Sequence, residues 1–264
     1  MNKNGYSIQL KRKLDYHYKE FDFSKLIPDP LQFPHRYENI YDREISDFIS
    51  SIYAYGNLKQ IISVLEKIHT IFGSSPYNYI INSSLKKITK DFAEIRHRFF
   101  DAKDSIDLIL AIKSIFENYG NIKNLFLLYY FAEENSLKDS IHFFSVSLKN
   151  MFPKNNEGRR SIEFMFPDPY KGSACKRMNL FLRWMVRKDD LDFGLWHEIS
   201  SSQLVIPVDT HIYKICTELK LTNQKNVNWK MAEEITNNLK NYDKLDPVKY
   251  DFAICHIGMR KLNF

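Results

Sequence analysis

The helical spacing of apolar residues narrows the fold of this chain more than any other feature. Ile45, Phe48, Ile49 and Ile52 fall on one helical face, as do Ile61, Val64, Leu65, Ile68 and Phe72. The same spacing returns over 76–92, 105–119, 122–133, 137–150, 229–239 and 247–260, with a shorter stretch at 8–18. The punctuation agrees. Gly56-Asn57 ends one helix and caps the next, Gly73 ends that one, and Asp246-Pro247 is a start signal for the last. Pro28, Pro30 and Pro34 make the segment after the first helix an extended wrap. With only eight glycines in 264 residues, an all-α fold is expected. That length admits one large domain or two small ones with a sizeable core.

Hydrophobic residues make up 44% and charged residues 27%, an ordinary globular balance, while a formal charge of +6 suits a polyanionic partner without requiring one. The first twelve residues are polar and basic, without the apolar core of a signal peptide, and the longest apolar runs, such as 125–132, are too short to span a bilayer. A cytoplasmic protein with no membrane partner is expected. Cys175, Cys216 and Cys255 are far apart and odd in number, so they form no disulfide framework or zinc spacing, and no metal is expected.

Chemistry concentrates between Tyr170 and Tyr213. Gly172-Ser173-Ala174-Cys175-Lys176 runs into a helical pattern and sets Lys176 in its first turn, where the electropositive helix end disfavours an ammonium. Both a nucleophilic amine and a solvated turn lysine fit that position. Asp209 ends the apolar run Leu204-Val205-Ile206-Pro207-Val208 where an N-cap belongs, and the same cap geometry serves a plain structural aspartate or a fixed catalytic carboxylate. Arg183, Arg187 and Lys188 make part of the surface of the intervening helix basic. Lys154, Arg159 and Arg160 lie in a basic loop over 151–160, suited to a phosphate or simply to solvent.

The run GSACKRMNLFL resembles the second half of the helix-hairpin-helix motif of the endonuclease III-like DNA glycosylase superfamily, with Lys176 at the catalytic lysine and Asn179 one turn on. VDTHIYKI is similar to the block that carries the catalytic aspartate of that superfamily, here Asp209. FPHRY at 33–37, AYG at 54–56, KRMNLFLRWMVRKDD at 176–190 and DPVKYDFA at 246–253 resemble a bacterial group within it. Ala174 replaces the second hairpin glycine, Pro167 and Pro169 fall where the first hairpin helix runs, and 186–203 looks like an insertion between lysine and aspartate. A similar spacer occurs in archaeal 8-oxoguanine glycosylases, the nearest functional analogy.

The resemblance implies two helical domains, 42–187 carrying the hairpin and a composite of 1–41 with 188–264, and an active cleft between them. It implies base-excision repair by a DNA glycosylase with AP-lyase activity on an oxidised purine, 8-oxoguanine by analogy. Lys176 would be the Schiff-base nucleophile and Asp209 the stabiliser of the cationic sugar. Other damaged bases, abasic sites only, or a catalytically silent DNA-binding protein of the same fold are the alternatives. DNA contacts would come from the hairpin residues Gly172, Ser173 and Ala174, and from His35, Arg36, Asn57 and His211. Tyr55 or Tyr53 would wedge the duplex, and Trp184 or Trp196 would wall the pocket for an extruded base, although core packing competes for Tyr53 and Trp184. Only Cys216 and Cys255 follow Asp209, so the four-cysteine iron–sulfur cluster of many relatives is not expected, and no cofactor is needed. The expected partner is double-stranded DNA holding a damaged base, in a nucleoid-associated location, with no obligate protein partner.

Overall fold

A computed structural model describes residues 6–132, 136–153, 159–262 and 264. Thirteen α-helices occur among them. In chain order these are α1 Ile8–Glu20, α2 Ile40–Tyr53, α3 Leu58–Phe72, α4 Pro76–Asn82, α5 Leu85–Asp91, α6 Ala102–Tyr119 and α7 Ile122–Ala132. They continue with α8 Leu137–Asn150, α9 Arg160–Met165, α10 Lys176–Val186, α11 Thr210–Glu218, α12 Trp229–Leu239 and α13 Asp251–Arg260. No strand forms among the described residues; extended pairing is limited to isolated bridges at His97–Phe100 and Lys188–Phe193. The chain is all-α.

Backbone contacts divide it into two compact units, Pro28–Asp168 and a second made of Met1–Ile27 with Pro169–Phe264. Against the expected division at 42 and 187, this one counts α10, with Lys176, among the terminal segments.

In the Pro28–Asp168 unit α2 is the central helix, buried along most of its length. Its buried acids organise the neighbours. Glu44 accepts hydrogen bonds from the amides of Ile122 (2.9 Å) and Lys123 (3.0 Å), so its carboxylate caps the start of α7. Asp42 accepts from Ser75 Oγ (2.7 Å) and the Tyr77 amide (2.8 Å), which fixes α4. The continuous helix expected over 76–92 is two helices. Ser84 turns out of helical conformation, and its hydroxyl accepts from the Lys87 amide to open α5. Asn57 and Gly73 flank α3 as expected, the first accepting from the Lys59 amide and the second at φ +65°.

In the other unit α1 meets the C-terminal segment. Tyr250, just before α13, donates to Asp15 of α1 (3.0 Å), and Lys13 of α1 donates to the Phe264 carbonyl (3.0 Å). Helices α11 and α13 pack closely enough that a Cβ on Gly258 would lie 2.9 Å from Cβ of His211. The helix expected over 247–260 begins as a 3-10 turn, Pro247–Tyr250, before α13. Asp246 makes no side-chain cap there. Its carboxylate is taken instead by Nε of Arg187 (2.8 Å).

That contact belongs to a buried ionic cluster and corrects the basic-surface reading of α10. Arg183 and Arg187 are both buried. Oδ1 of the fully buried Asp192 accepts from Nε (3.2 Å) and Nη2 (2.9 Å) of Arg183, and its Oδ2 accepts from Nη1 of Arg187. Arg183 also donates to Asp251 (2.5 Å), and Arg187 to Asp189 (2.8 Å). Asp189 receives the Tyr18 hydroxyl as well (3.1 Å), so α1, α10, α13 and the 188–203 segment share one set of charges. The apparent insertion supplies two of the four acids, Asp189 and Asp192, that let two arginines be buried.

Candidate active site

The hairpin preceding α10 is built differently from a Gly-x-Gly turn. Gly172 takes φ +84°, the left-handed region that favours glycine. The second left-handed residue is Cys175, at φ +48° and ψ 38°, in the N-cap position of α10. Ala174 therefore needs no glycine. It is buried, and its carbonyl accepts from Nδ2 of Asn179 (3.0 Å), while the Cys175 amide donates to Ser173 Oγ (3.1 Å). The interruption expected from Pro167 and Pro169 is present. Helix α9 ends at Met165, and Pro169–Lys171 forms a 3-10 turn before Gly172. Gly172 is exposed and Ser173 half-buried.

Lys176 is the first residue of α10, and its Nζ lies 3.5 Å from Oδ2 of Asp209, with 30% of the lysine side chain and 18% of the aspartate exposed. Asp209 caps α11. Its Oδ1 accepts from the amides of His211 (2.8 Å) and Ile212 (2.9 Å), which leaves Oδ2 directed at the lysine. Oδ2 also accepts from the thiol of Cys255 on α13 (3.7 Å). Burial pushes the Asp209 carboxyl up, but the Lys176 ammonium and the two amides outweigh it and hold the group below its usual range. The carboxylate is thus ionised, fixed at one oxygen and available at the other. Behind it stands Asp251. One oxygen of Asp251 is on Arg183, the other is buried without a hydrogen-bond partner, and burial raises its carboxyl to about 6 against the pull of Arg183.

The remaining expected residues fall as follows. His211 is half-buried on α11, its ring against the glycine position 258. Trp184 and Trp196 are each 1% exposed, so they fill the interior and wall no open pocket; Trp196 stands edge-on to Phe181 at 5.1 Å. His35, Arg36, Asn57, Tyr53 and Tyr55 belong to the other unit. Arg36 forms a bidentate pair with Glu66 (3.0 and 2.7 Å) and lies 4.4 Å over the Phe33 ring, so a phosphate would have to displace a carboxylate. His35 is half-buried beside it, and Asn57 is occupied as the cap of α3. Tyr53 is core, its hydroxyl donating to Ser105 Oγ (2.8 Å). The hydroxyl of Tyr55 donates to the His97 carbonyl (2.6 Å). Arg159 pairs with Asp101 (3.2 Å) and Asp104 (2.9 Å), and Lys154 lies outside the described residues.

Sequence reasoning missed Asp251 and Cys255. The available signal was their spacing of four residues, which puts both on one face of α13. Cys175 and Cys216 are buried, and no cysteine is in a disulfide. Among the described residues no group of three His, Cys, Asp or Glu side chains is placed to hold a metal ion, and no helix is long and apolar enough to cross a membrane. No curated protein and no solved structure matches the chain. Residues 29–260, nearly all of it, match the family described as protein of unknown function (DUF2400), and the chain belongs to that family.

Proposed function

We propose that the chain is a base-excision DNA glycosylase with AP-lyase activity, working through a Schiff base at Lys176. The observation that carries this reading is the Lys176–Asp209 pair, an amine at the head of one helix 3.5 Å from a carboxylate locked as the cap of another. A capping aspartate whose second oxygen faces a partly buried amine suits two tasks, stabilising a nearby cation and accepting a proton. The hairpin and aspartate blocks resemble those of the glycosylase superfamily in order and in helix placement.

In this reading a damaged nucleotide of double-stranded DNA is rotated out of the helix. Lys176, as free amine, bonds to C1′ of the sugar while the bond from C1′ to the base breaks, and the base leaves as an anion with the bonding pair and is protonated by water. Asp209 stabilises the positive charge that develops on the sugar and takes the proton released by the attacking amine. The nitrogen lone pair then forms the C1′=N bond of the protonated imine as the C1′–O4′ bond breaks, and O4′ takes the proton held by Asp209. Loss of a C2′ proton expels the 3′ phosphate, and water hydrolyses the imine to return the lysine. The proposed substrate is an oxidised purine, 8-oxoguanine by analogy with the archaeal enzymes that share the long spacer. The proposed setting is the cytoplasm, at the nucleoid.

Borohydride trapping tests this on duplexes carrying 8-oxoguanine or an abasic site. The hydride reduces the imine to a stable secondary amine, so a covalent protein–DNA adduct is expected from the parent protein and none from Lys176→Gln. Asp209→Asn keeps the cap but loses the charge, and is expected to slow trapping by about 10²–10⁴-fold. Adduct on the abasic duplex alone would keep the lyase and remove the substrate. DNA binding without any adduct would leave a silent binder.

A further inference from the structure

We propose that Arg98, Phe99 and Phe164, backed by Tyr55, form a stacking seat for a nucleobase that has lost its pairing partner. The seat rests on the DNA reading above, and it lies wholly within the Pro28–Asp168 unit.

Its frame is a tight turn. The amide of His97 donates to the Phe100 carbonyl (2.8 Å) and that of Phe100 to the His97 carbonyl (2.9 Å), leaving Arg98 and Phe99 at the tip. Arg98 takes φ +53°, a conformation that costs an arginine about 1 kcal/mol or more and persists only where the surroundings enforce it. The enforcement is visible. His97 Nε2 donates to the Tyr55 carbonyl (2.8 Å), the Tyr55 hydroxyl returns a bond to the His97 carbonyl, and Phe100 is buried beneath. Gly56 leaves room for the arginine; a Cβ there would lie 2.6 Å from Cδ of Arg98.

What this frame holds out is apolar and flat. Phe99 is 59% exposed and Phe164 37%. Phe99 lies parallel to the Tyr55 ring (3°, centroids 6.3 Å apart) and edge-on to Phe164 (5.2 Å). Tyr55 is itself packed against His97, Phe100 and Phe164, so the outermost ring is Phe99 and not the tyrosine expected to wedge the duplex. Rings fixed in place lose little entropy on binding.

The surrounding charge selects the occupant. Nearby acids already have cations: Asp101 and Asp104 have Arg159, Glu163 has Lys149, and Glu94 has Arg96. Among the described residues Arg98, 5.6 Å over the Phe99 ring, has no ion pair or hydrogen bond, and neither has exposed Arg160, one turn before Phe164 on α9. Two surplus guanidiniums beside two exposed rings complement a ligand that carries both a π face and a phosphate.

The test is fluorescence anisotropy of the full chain with a labelled duplex holding one unpaired thymine, against the same duplex fully paired. Phe99→Ala should weaken binding of the unpaired duplex by about 5- to 150-fold, and Phe99→Trp should restore it. Arg98→Gly keeps the left-handed backbone and should lower the slope of log affinity against log salt by about 1. A matched thermal melt for Phe99→Ala, an exposed position, shows that the fold is intact. Equal affinity of Phe99→Ala and parent for the unpaired duplex, or a Trp variant as weak as the Ala one, overturns the seat. The probe has no abasic site and no damaged base, so a failed trapping experiment leaves this result standing. Absence of any DNA binding by the parent overturns both readings together.

Discussion

Asp192→Ala tests whether the buried charges hold α10 in place. The carboxylate is completely buried and serves three donors, Nε and Nη2 of Arg183 and Nη1 of Arg187. Alanine removes all three acceptances at once. Arg183 keeps Asp251, and Arg187 keeps Asp189 and Asp246, so neither guanidinium is abandoned, yet each has buried N–H groups with nothing to bond. Removing one partner of a buried pair costs about 3–5 kcal/mol, because the survivor stays desolvated. For a chain of this size each kcal/mol moves the melting temperature by about 2–4 °C, so calorimetry should find a loss of roughly 6–20 °C. The exposed Lys87–Asp91 pair is the control: Asp91→Asn should cost less than about 1 kcal/mol. If Asp192→Ala melts within about 2 °C of the parent, the cluster carries no more than a surface bridge and the reasoning fails.

Asn179→Ala removes the amide that bonds the Ala174 carbonyl inside the protein; it should cost about 1–3 kcal/mol in denaturant titration and loosen the hairpin that presents Lys176. Gly258→Val forces a side chain against Cβ of His211, already 2.9 Å from where a Cβ would sit, so overpacking of about 1–3 kcal/mol should lower the melting temperature and displace the cap at Asp209, slowing trapping. The pH dependence of trapping should show a step near pH 6. Burial raises Asp251 to about 6 while Arg183, Lys176 and Asp209 act on it, so raising the pH adds a negative charge near the lysine and should speed formation of the cationic sugar. Asp251→Asn should flatten that step. The sign for stability is opposite: the fold holds the Asp251 proton more tightly than the unfolded chain, so its contribution is full below the ordinary 3.8 and is lost as pH rises through about 6.

The features legible in the sequence were local ones. Helical spacing identified the all-α class, and caps such as Asn57 and Asp209 need only the residues beside them. Lys176 could be placed in a first turn because Gly172 and the apolar run after it are neighbours in sequence. What could not be read depends on partners far along the chain. Arg183 and Arg187 look like surface charges until Asp192, Asp246 and Asp251 are folded onto them, and Asp246 looks like a cap until Arg187 claims it. Helical spacing runs unbroken over 76–92, yet Ser84 caps a second helix within it. Phe99, not Tyr55, is the outermost ring of its cluster, and only the folded turn shows this.

The two halves of the candidate site are therefore held by different means. Asp209 is oriented by its own helix: two amides fix Oδ1, and no distant residue is needed for that. A plain cap would be complete at this point, with Oδ2 left to water. Here Oδ2 meets Lys176 at 3.5 Å and the Cys255 thiol at 3.7 Å, contacts that add nothing to capping α11. Lys176 stands at the first position of α10. Its helix is positioned through Arg183 and Arg187, seven and eleven residues on, which bind acids from the 188–203 segment, the stretch before α13 and α13 itself. Burying two arginines is a costly way to fix a helix when apolar side chains of similar volume pack as well or better. On the proposed glycosylase reading the charges serve fixed geometry at the head of α10, where a small error in the amine would break its alignment with a carboxylate held by its own helix.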